Sequence, residues 1–311
     1  MTAATTVTVR VPAKVNLQLA VGPAREDGYH ELVNVFHAVS LYDEVTVRRP
    51  DSAARVSGIS LSGATGSDVP QDSTNLAARA AELLAHRIGY RGGVDLGDLV
   101  DLRIHKAIPV AGGMAGGSAD AAAALLACAT LWNTGHTVSE LAPLAAELGS
   151  DVPFALMGHT AVGRSRGEQL TPLTCTVTLH WVFALAHGGL STAEVYRAYD
   201  RIRPQAPEPE LSHALTRALE AGDAAAVGQA LHNDLQPAAL DLRPELARTL
   251  QAGADAGALG GIVSGSGPTC AFLARDGEHA RELAAELEWS GTCLRTVCAH
   301  GPVPGATRTQ G

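Results

Sequence analysis

The stretch PVAGGMAGGSADAA (residues 109–122) places four glycines directly in front of an alanine-rich segment. A strand-like run precedes it at residues 100–108, and helix-forming residues continue to Trp132. Unpaired N–H groups at a helix N-terminus attract anions, and glycine lets the backbone approach a phosphate without a Cβ clash. The pattern is typical of a phosphate-binding loop, but a slack connector before an N-capped helix explains these residues equally well.

Two familiar nucleotide-binding loops are excluded. The GxxxxGK[ST] pattern of Walker A loops and the GxGxxG pattern of dinucleotide-binding loops are both absent from the sequence. A second glycine-rich segment, IVSGSGPTC (residues 262–270), lies between two strand-like runs and by itself favours a hairpin turn. Two such loops in one chain favour a nucleoside triphosphate held in a cleft.

Composition limits the possible partners. The chain has 311 residues, enough for about two domains, and a formal charge of −9 that argues against a nucleic-acid partner. We expect no membrane span, because the richest apolar run is shorter than the roughly 20 residues that a bilayer requires. Five cysteines without a CxxC pair and no apolar leader segment predict a cytoplasmic protein with reduced thiols.

Hydrophobic periodicity predicts the elements of the first half. Alternating valines at positions 7, 9 and 11, and the same period at residues 15–21, predict two strands with a corner at residues 12–16. Residues 73–89 read as a helix with Ser73 or Thr74 as N-cap. Strands and helices mixed in this way predict an α+β sandwich.

Composition shifts toward polar, irregular sequence after a short strand at residues 160–163. We therefore place a domain boundary here, with domains at residues 1–164 and 165–311. The last eleven residues, GPVPGATRTQG, read as a frayed tail.

Two charged residues stand in unusual settings. Lys14 lies between two valine-rich strands, and Asp151 precedes a proline and an apolar helix. Lys14 can be a solvated turn residue, and Asp151 can be a helix N-cap. If they meet, the lysine keeps the carboxylate ionised and oriented to take a proton from an alcohol.

Three segments resemble the motifs of the GHMP kinases, the small-molecule kinases named for galactose, homoserine, mevalonate and phosphomevalonate. They are PAKVNLQL (residues 12–19), PVAGGMAGGSADAA (residues 109–122) and IVSGSGPT (residues 262–269). The resemblance implies a two-domain fold, with an N-terminal domain like ribosomal protein S5 domain 2 that binds ATP. It also implies a C-terminal ferredoxin-like α/β sandwich that contributes substrate contacts.

REDGYHEL (residues 25–32) and GSDVPF (residues 149–154) narrow the resemblance. They are similar to the GHMP branch that phosphorylates, with ATP and Mg²⁺, the 2-hydroxyl of a cytidine diphosphate-linked methylerythritol in the non-mevalonate isoprenoid route. The resemblance implies Lys14 and Asp151 as catalytic residues, with Asp151 as the proton acceptor. Another GHMP kinase of the mevalonate or homoserine type, or a non-catalytic nucleotide-binding regulator of this fold, remains as an alternative.

The same resemblance implies the residues that bind the two substrates. For ATP they are Lys106, Pro109, Val110, Ala111, Gly112, Gly113, Met114, Ala115, Gly116, Gly117, Ser118 and Ala119, with the Ser118 hydroxyl as the candidate Mg²⁺ ligand. For the cytidine-linked substrate they are Asn16, Tyr29, His30, Thr192 and Tyr196.

Some of these residues have simpler explanations, and some depart from the family pattern. Lys106 can be a surface lysine at a strand end, and Tyr196 can be a core residue of an amphipathic helix. Ala111 and Ala115 stand where many members have glycine, and alanine disfavours a positive φ. Ala119 replaces a serine often found there, which leaves the hydroxyl of Ser118. We expect a monomer or a weak homodimer.

Overall fold

The structure is a computed structural model that describes residues 6–49, 58–63, 69–89, 100–110 and 112–309. Ala111 lies outside the described residues. The strands are β1 (Thr6–Ala24), β2 (His30–Arg48), β3 (Ile59–Gly63), β4 (Asp101–Lys106), β5 (Thr160–Ser165), β6 (Gln169–Pro172), β7 (Leu179–Leu185), β8 (His232–Asn233), β9 (Gly260–Val263), β10 (Cys270–Ala274), β11 (Arg295–Gly301) and β12 (Thr307–Arg308). The helices are α1 (Leu76–Arg87), α2 (Gly116–Leu131), α3 (Val138–Leu148), α4 (Val152–Met157), α5 (Thr192–Ile202), α6 (His213–Ala221), α7 (Ala224–Gln229), α8 (Gln236–Leu242), α9 (Glu245–Asp255) and α10 (Gly277–Trp289).

The first sheet is built on one long antiparallel pair, β1 and β2, and runs in the order β12-β1-β2-β4-β3. The prediction of two strands before Ala24 is wrong, because β1 continues through the predicted corner. The register shifts between Pro12 and Ala13, where β2 carries two additional residues, Ser40 and Leu41. Such an irregularity bends a strand without ending it, so the corner is a bulge immediately before Lys14.

Helix α2 is the centre of the layer that covers this sheet. Alanines dominate its sequence and are buried around most of its circumference. It packs against β1 and β2 on one side and against α1, α3 and α4 on the others. Small side chains let these elements approach closely, and the N-terminus of α2 is thereby held at the mouth of the glycine-rich loop.

The second sheet has the antiparallel order β11-β7-β10-β9, with α9 and α10 packed against it. The chain passes through it as strand, helices, two adjacent strands, helix and strand, which is the ferredoxin-like arrangement. The α+β class and the ferredoxin-like C-terminal sandwich are therefore confirmed. A core of Val182, Phe272 and Leu283, among others, joins this sheet to its helices.

Two local predictions are wrong. Helix α1 is capped by Asn75 rather than by Ser73 or Thr74, because the Asn75 side chain accepts from the N–H of Ala77 at 2.9 Å and also donates to the carbonyl of Pro70 at 2.7 Å. The predicted frayed tail is ordered through Thr309: Val303 is buried against Phe154, and β12 pairs with β1.

The predicted domain boundary falls within one hairpin. Residues 164 and 165 both belong to β5, and β6 pairs with β5 as an extension of the first sheet. Strands β8 and β12, from the predicted C-terminal domain, also pair with β1. The first sheet therefore contains segments of chain from both sides of that boundary, whereas the strands of the second sheet all come from after it. Among the described residues no helix is long and apolar enough to cross a membrane.

Candidate active site

A cavity of about 990 Å³ opens where the two sheets meet. This volume is at the upper end of the range for ligand sites, roughly 300–1,000 Å³. Its walls come from the β1–β2 pair, the glycine-rich loop, the start of α4, the first half of α5 and the loop between β9 and β10. These elements carry most of the catalytic and binding residues that the sequence predicts.

The glycine-rich loop is shaped by its contact with the β9–β10 loop. Gly113 has a φ of +70°, and a Cβ at this position would lie 2.0 Å from the carbonyl oxygen of Ser264. The Ser264 hydroxyl donates to the carbonyl of Gly113 at 3.1 Å. Glycine is therefore required at residue 113 both for its φ and for the close approach of the second loop.

Ala115 completes the turn into α2. Its φ of +59° and ψ of +32° place it in the left-handed region as the N-cap of the helix. An alanine there costs about 1–2 kcal/mol relative to the right-handed conformation. The backbone at Ala115 therefore adopts the left-handed conformation that glycine would adopt without strain, and this alanine is strained.

Lys14 is held by its neighbours rather than exposed in a turn. Its Nζ donates to Asn16 Oδ1 at 2.6 Å and to the carbonyl of Gly113 at 3.0 Å. Asn16 in turn donates from Nδ2 to Asn34 Oδ1 at 2.7 Å. Lys14 is 7% exposed, so the solvated-turn alternative is wrong. Asn16 lines the cavity, but its amide oxygen and its amide nitrogen both hydrogen-bond to protein atoms.

Asp151 lines the same cavity, at the start of α4. Its side chain makes no capping hydrogen bond to that helix, so the N-cap alternative does not explain it. Burial lowers the pKa of Lys14, and the negative charge of Asp151 acts in the opposite direction and raises it. The charge of Asp151 thus acts on Lys14, while the hydrogen bonds of Lys14 go to Asn16 and Gly113.

Beneath the glycine-rich loop lies a buried group of three charged residues, Asp43, Lys106 and Asp120. Lys106 is 2% exposed and binds both carboxylates, Asp43 by a short contact and Asp120 at 2.7 Å. Asp43 Oδ1 also accepts from the backbone N–H groups of Ala107 and Ile108, at 2.7 and 2.8 Å. The surface-lysine alternative for Lys106 is wrong. Lys106 lines the cavity, but its ammonium is bound by carboxylates, and an adenine contact stays a prediction.

The pKa values of Lys106 and Asp120 are both raised, but for different reasons. Burial would lower the pKa of Lys106, but the charges of Asp120 and Asp43 together outweigh it and raise that pKa. Burial also raises the pKa of Asp120 to about 8, against the lowering effect of Lys106. Oδ1 of Asp120 is buried and has no hydrogen-bond partner.

Apart from Asn16, the predicted cytidine contacts come from the start of β2 and from α5. The Tyr29 side chain is 52% exposed, and the Arg166 guanidinium lies 5.2 Å from its ring centre. His30 and Tyr196 pack with ring centres 4.9 Å apart. The Thr192 hydroxyl lies 2.9 Å from that of Ser266 in the β9–β10 loop. Burial, with a further contribution from the charge of Asp151, raises the pKa of Tyr196.

Most of the residues predicted from the sequence line this cavity. Of those that the structure describes, two do not: Met114 and Ala119 have their side chains in the hydrophobic core behind the loop. Sequence reasoning missed Asn34 and Asp43, which bind predicted residues from other strands, and Asp120, although it lies within the glycine-rich motif itself. It also missed Asp200, although its place four residues after Tyr196 puts both on one face of a helix.

Comparison with known proteins identifies the family. Residues 75–159 match the GHMP kinases N terminal domain, and residues 215–290 match the GHMP kinases C terminal domain. The chain is 64% identical to the 4-diphosphocytidyl-2-C-methyl-D-erythritol kinase of Thermobifida fusca, with 99% of each chain covered. It belongs to this family of GHMP kinases.

Two further relatives agree with this assignment. The enzyme of the same name from Streptomyces avermitilis is 56% identical, with 97% of this chain and 99% of the relative covered. A crystal structure of 4-(cytidine 5'-diphospho)-2C-methyl-D-erythritol kinase superimposes with a TM-score of 0.74 at 36% identity and covers 94% of this chain and 98% of that one. The family assignment therefore holds over nearly the whole chain.

Because the pKa of the buried Asp120 carboxyl is raised, the free energy of unfolding of the protein depends on pH. Its pKa is about 8 in the folded protein and 3.8 in the reference state, so the folded form holds a proton that the unfolded form has released. The stability from this group is present below about pH 4 and is lost as the pH rises through about 8. We expect the free energy of unfolding of Asp120→Asn, relative to the parent protein, to rise from about pH 5 to about pH 9, by at most ~1.4 kcal/mol per pH unit. Urea denaturation across this range measures the difference.

Asp43→Asn is the matched variant. It weakens the buried Lys106 pair and the acceptor for two backbone N–H groups, so we expect a loss of ~3–5 kcal/mol at pH 7. Parallel stability profiles for the parent protein and Asp120→Asn would contradict the proton assigned to Asp120.

The strained Ala115 gives a second prediction. Ala115→Gly relieves the left-handed conformation but adds freedom to the unfolded chain, so we expect a net stabilisation of ~0.5–1 kcal/mol. Ala119→Gly is the control inside α2, where glycine is expected to destabilise by ~1 kcal/mol. Thermal and urea unfolding of both variants provide the measurement, and destabilisation of both would refute the path described for the loop.

Proposed function

We propose that this protein transfers the γ-phosphate of ATP to the 2-hydroxyl of 4-diphosphocytidyl-2-C-methyl-D-erythritol, in the non-mevalonate route to isoprenoid precursors. The observation that carries this proposal is the meeting of three predicted motifs at one cavity. Lys14, Asp151 and the glycine-rich loop all line it, although they are distant in sequence. The identity to kinases of this name over the full chain supports the substrate.

The glycine-rich end of the cavity fits the ATP phosphates. The residues from Gly112 to Ser118 that line it present backbone groups and one hydroxyl, and the N-terminus of α2 adds a partial positive charge. A Cβ at Gly116 would lie 3.2 Å from Ile108 and 3.3 Å from Lys106 Nζ, so the first turn of the helix lies close to the floor of the loop. We assign this loop to the triphosphate and the remaining space near Pro109 and Val110 to the adenosine.

The donor set also fits Mg²⁺. This ion prefers oxygen ligands, and in kinases it takes one or two protein oxygens together with substrate phosphates and water. The Ser118 hydroxyl lines the cavity and offers such an oxygen, and the phosphates of ATP would supply the others. When bound, the ion neutralises charge on the phosphates.

The protein's own residues prepare the acceptor hydroxyl. Phosphoryl transfer depends mainly on alignment and charge stabilisation. The hydroxyl oxygen forms a bond to the γ-phosphorus as the bond from that phosphorus to the leaving ADP oxygen breaks, and the hydroxyl proton passes to the Asp151 carboxylate. Lys14, held by Asn16 and Gly113, places a positive charge beside the reacting groups.

The other end of the cavity fits the cytidine. Tyr29 and Tyr196 supply aromatic faces, for which stacking on a base contributes roughly 1–3 kcal/mol. Thr192, Tyr196 and the whole of α5 come from residues 165–311, so we assign the substrate contacts to both proposed domains, and ATP to residues 1–164. The five cysteines are all free thiols, which supports a reducing, cytoplasmic setting.

A substrate panel tests the proposal. We expect ADP release with 4-diphosphocytidyl-2-C-methyl-D-erythritol and none above background with mevalonate, homoserine or galactose. The cavity offers aromatic rings to a base, which these three substrates lack. Turnover of one of them alone would assign the protein to another GHMP kinase class, and no turnover with nucleotide binding retained would favour the regulator.

Asp151→Asn tests the proton acceptor. Loss of a general base costs roughly 10²–10⁴ in rate, so we expect kcat to fall by this factor. The Kd for ATP should stay within about twofold, because the loop assigned to the triphosphate is unchanged. Asp255→Asn, at an exposed position in α9, is the control and should leave both constants unchanged. Full activity of Asp151→Asn would remove Asp151 from the mechanism.

A further inference from the structure

The turn that joins β5 to β6 (residues 165–168) lies beside the loop that carries Tyr29. The Ser165 backbone N–H donates to Glu31 Oε1 at 3.0 Å. The Arg25 guanidinium lies 3.2 Å from Glu31 Oε2 and 3.4 Å from the Ser165 hydroxyl oxygen. Arg25 follows β1 and Glu31 belongs to the start of β2, so the turn is tied to both ends of the loop between these strands. Exposed charged groups of this kind add little stability, and their effect here is on position.

The backbone of this turn has little freedom. Ser165 has a φ of +61°, and Gly167 has a φ of +107°. A Cβ at Gly163 would lie 2.6 Å from the carbonyl oxygen of Gly167 and 2.6 Å from the ring of Phe36. The turn is therefore pressed against β5 and against a core ring of β2. Close packing thus fixes the point from which the Arg166 side chain extends.

Arg166 places a cation over the ring of Tyr29. Its guanidinium carbon lies 5.2 Å from the ring centre, within the roughly 6 Å over which an aromatic face attracts a cation. Glu168 Oε1, from the same turn, lies 3.7 Å from Arg166 Nε. Arg166 and Tyr29 both line the cavity.

The backbone and the ring of Tyr29 are held in different ways. Its carbonyl accepts from the Arg25 N–H at 2.6 Å, and its own N–H donates to Asp27 Oδ1 at 3.0 Å. Its side chain, by contrast, is 52% exposed. An exposed ring can turn about its side-chain bonds, and a guanidinium over one face restricts that rotation.

This restriction matters for a base that stacks on the ring. A side chain that is ordered only when the ligand binds lowers the affinity, whereas one that is held beforehand does not. With the guanidinium over one face of Tyr29, a base in the cavity would take the other face. The contact with Arg166 therefore prepares the ring before the ligand arrives.

We propose that Arg166 is a positioning residue that holds the Tyr29 ring in the orientation that stacks on the base of the substrate. The inference rests on the proposed function, since it concerns the cytidine of the same substrate. Arg166 acts through Tyr29 and has no part in the transfer of the phosphate.

Arg166→Ala removes the guanidinium and leaves the backbone contacts of the turn in place. Ordering one side chain on binding costs about two- to tenfold in affinity, so we expect the KM for 4-diphosphocytidyl-2-C-methyl-D-erythritol to rise by this factor. The kcat and the KM for ATP should be unchanged. Arg164→Ala, at an exposed position of the same hairpin, is the matched control and should leave all three constants unchanged.

A double-mutant cycle separates an effect through Tyr29 from a direct one. In the Tyr29→Leu background the aromatic ring is gone, so Arg166→Ala should cause no further rise in the KM for the cytidine-linked substrate. In the Tyr29→Phe background the ring remains, and Arg166→Ala should raise that KM by the same factor as in the parent protein. A direct attraction between the guanidinium and the diphosphate of the substrate would instead persist in both backgrounds.

The outcomes that overturn the inference differ from those that overturn the proposed function. No turnover of the cytidine-linked substrate by the parent protein would refute the proposed function. With turnover present, an unchanged KM in Arg166→Ala would refute the role of Arg166, and so would a rise that persists in full in the Tyr29→Leu background. A lowered kcat or a raised KM for ATP in Arg166→Ala would show a general disturbance of the site and would overturn the inference as well.

Discussion

The carbonyl of Gly113 is the point on which the site depends. It accepts hydrogen bonds from the Lys14 ammonium and from the Ser264 hydroxyl, so three distant segments of the chain meet at one oxygen. The two loops touch so closely that a Cβ on Gly113 would overlap the Ser264 carbonyl. A side chain at residue 113 would therefore separate the loops and release Lys14 at the same time. Asn233 supports the second loop from behind by donating to the carbonyls of Val263 and Gly265.

The contacts among Asp43, Lys106 and Asp120 position the surrounding backbone more than they stabilise the folded protein. Charges taken out of water lose hydration, and their mutual attraction often does no more than offset this loss. The gain is positional, because Asp43 fixes the backbone of Ala107 and Ile108 and Asp120 lies near the start of α2, just after its first turn. Lys106 ties the end of β4 to the start of that helix. The glycine-rich loop between them is thus held at both ends.

Local signals in the sequence were sufficient for part of this site. The glycine-rich loop, the helix that follows it and the alternating valines of β1 depend on neighbouring residues, and they could be predicted. The bulge at Pro12 could not, since it arises from additional residues in β2. The partners of Lys106 and His30 could not either, because nothing in the spacing of Asp43 or Asp200 specifies a contact across the fold. The N-cap of α1 was misplaced because Ser73, Thr74 and Asn75 are all good caps, and the contact with Pro70 favours Asn75.

The lining of the cavity differs between the elements that form it. The glycine-rich loop, proposed for the ATP phosphates, contributes mostly backbone groups, whereas the start of β2 and α5, proposed for the base, contribute side chains. His30 comes from the N-terminal sheet, whereas Asp200, Tyr196 and Tyr199 come from α5 in the C-terminal half. The His30 ring is thus packed and hydrogen-bonded by the other half of the chain, so neither half alone contains the whole lining of the cavity.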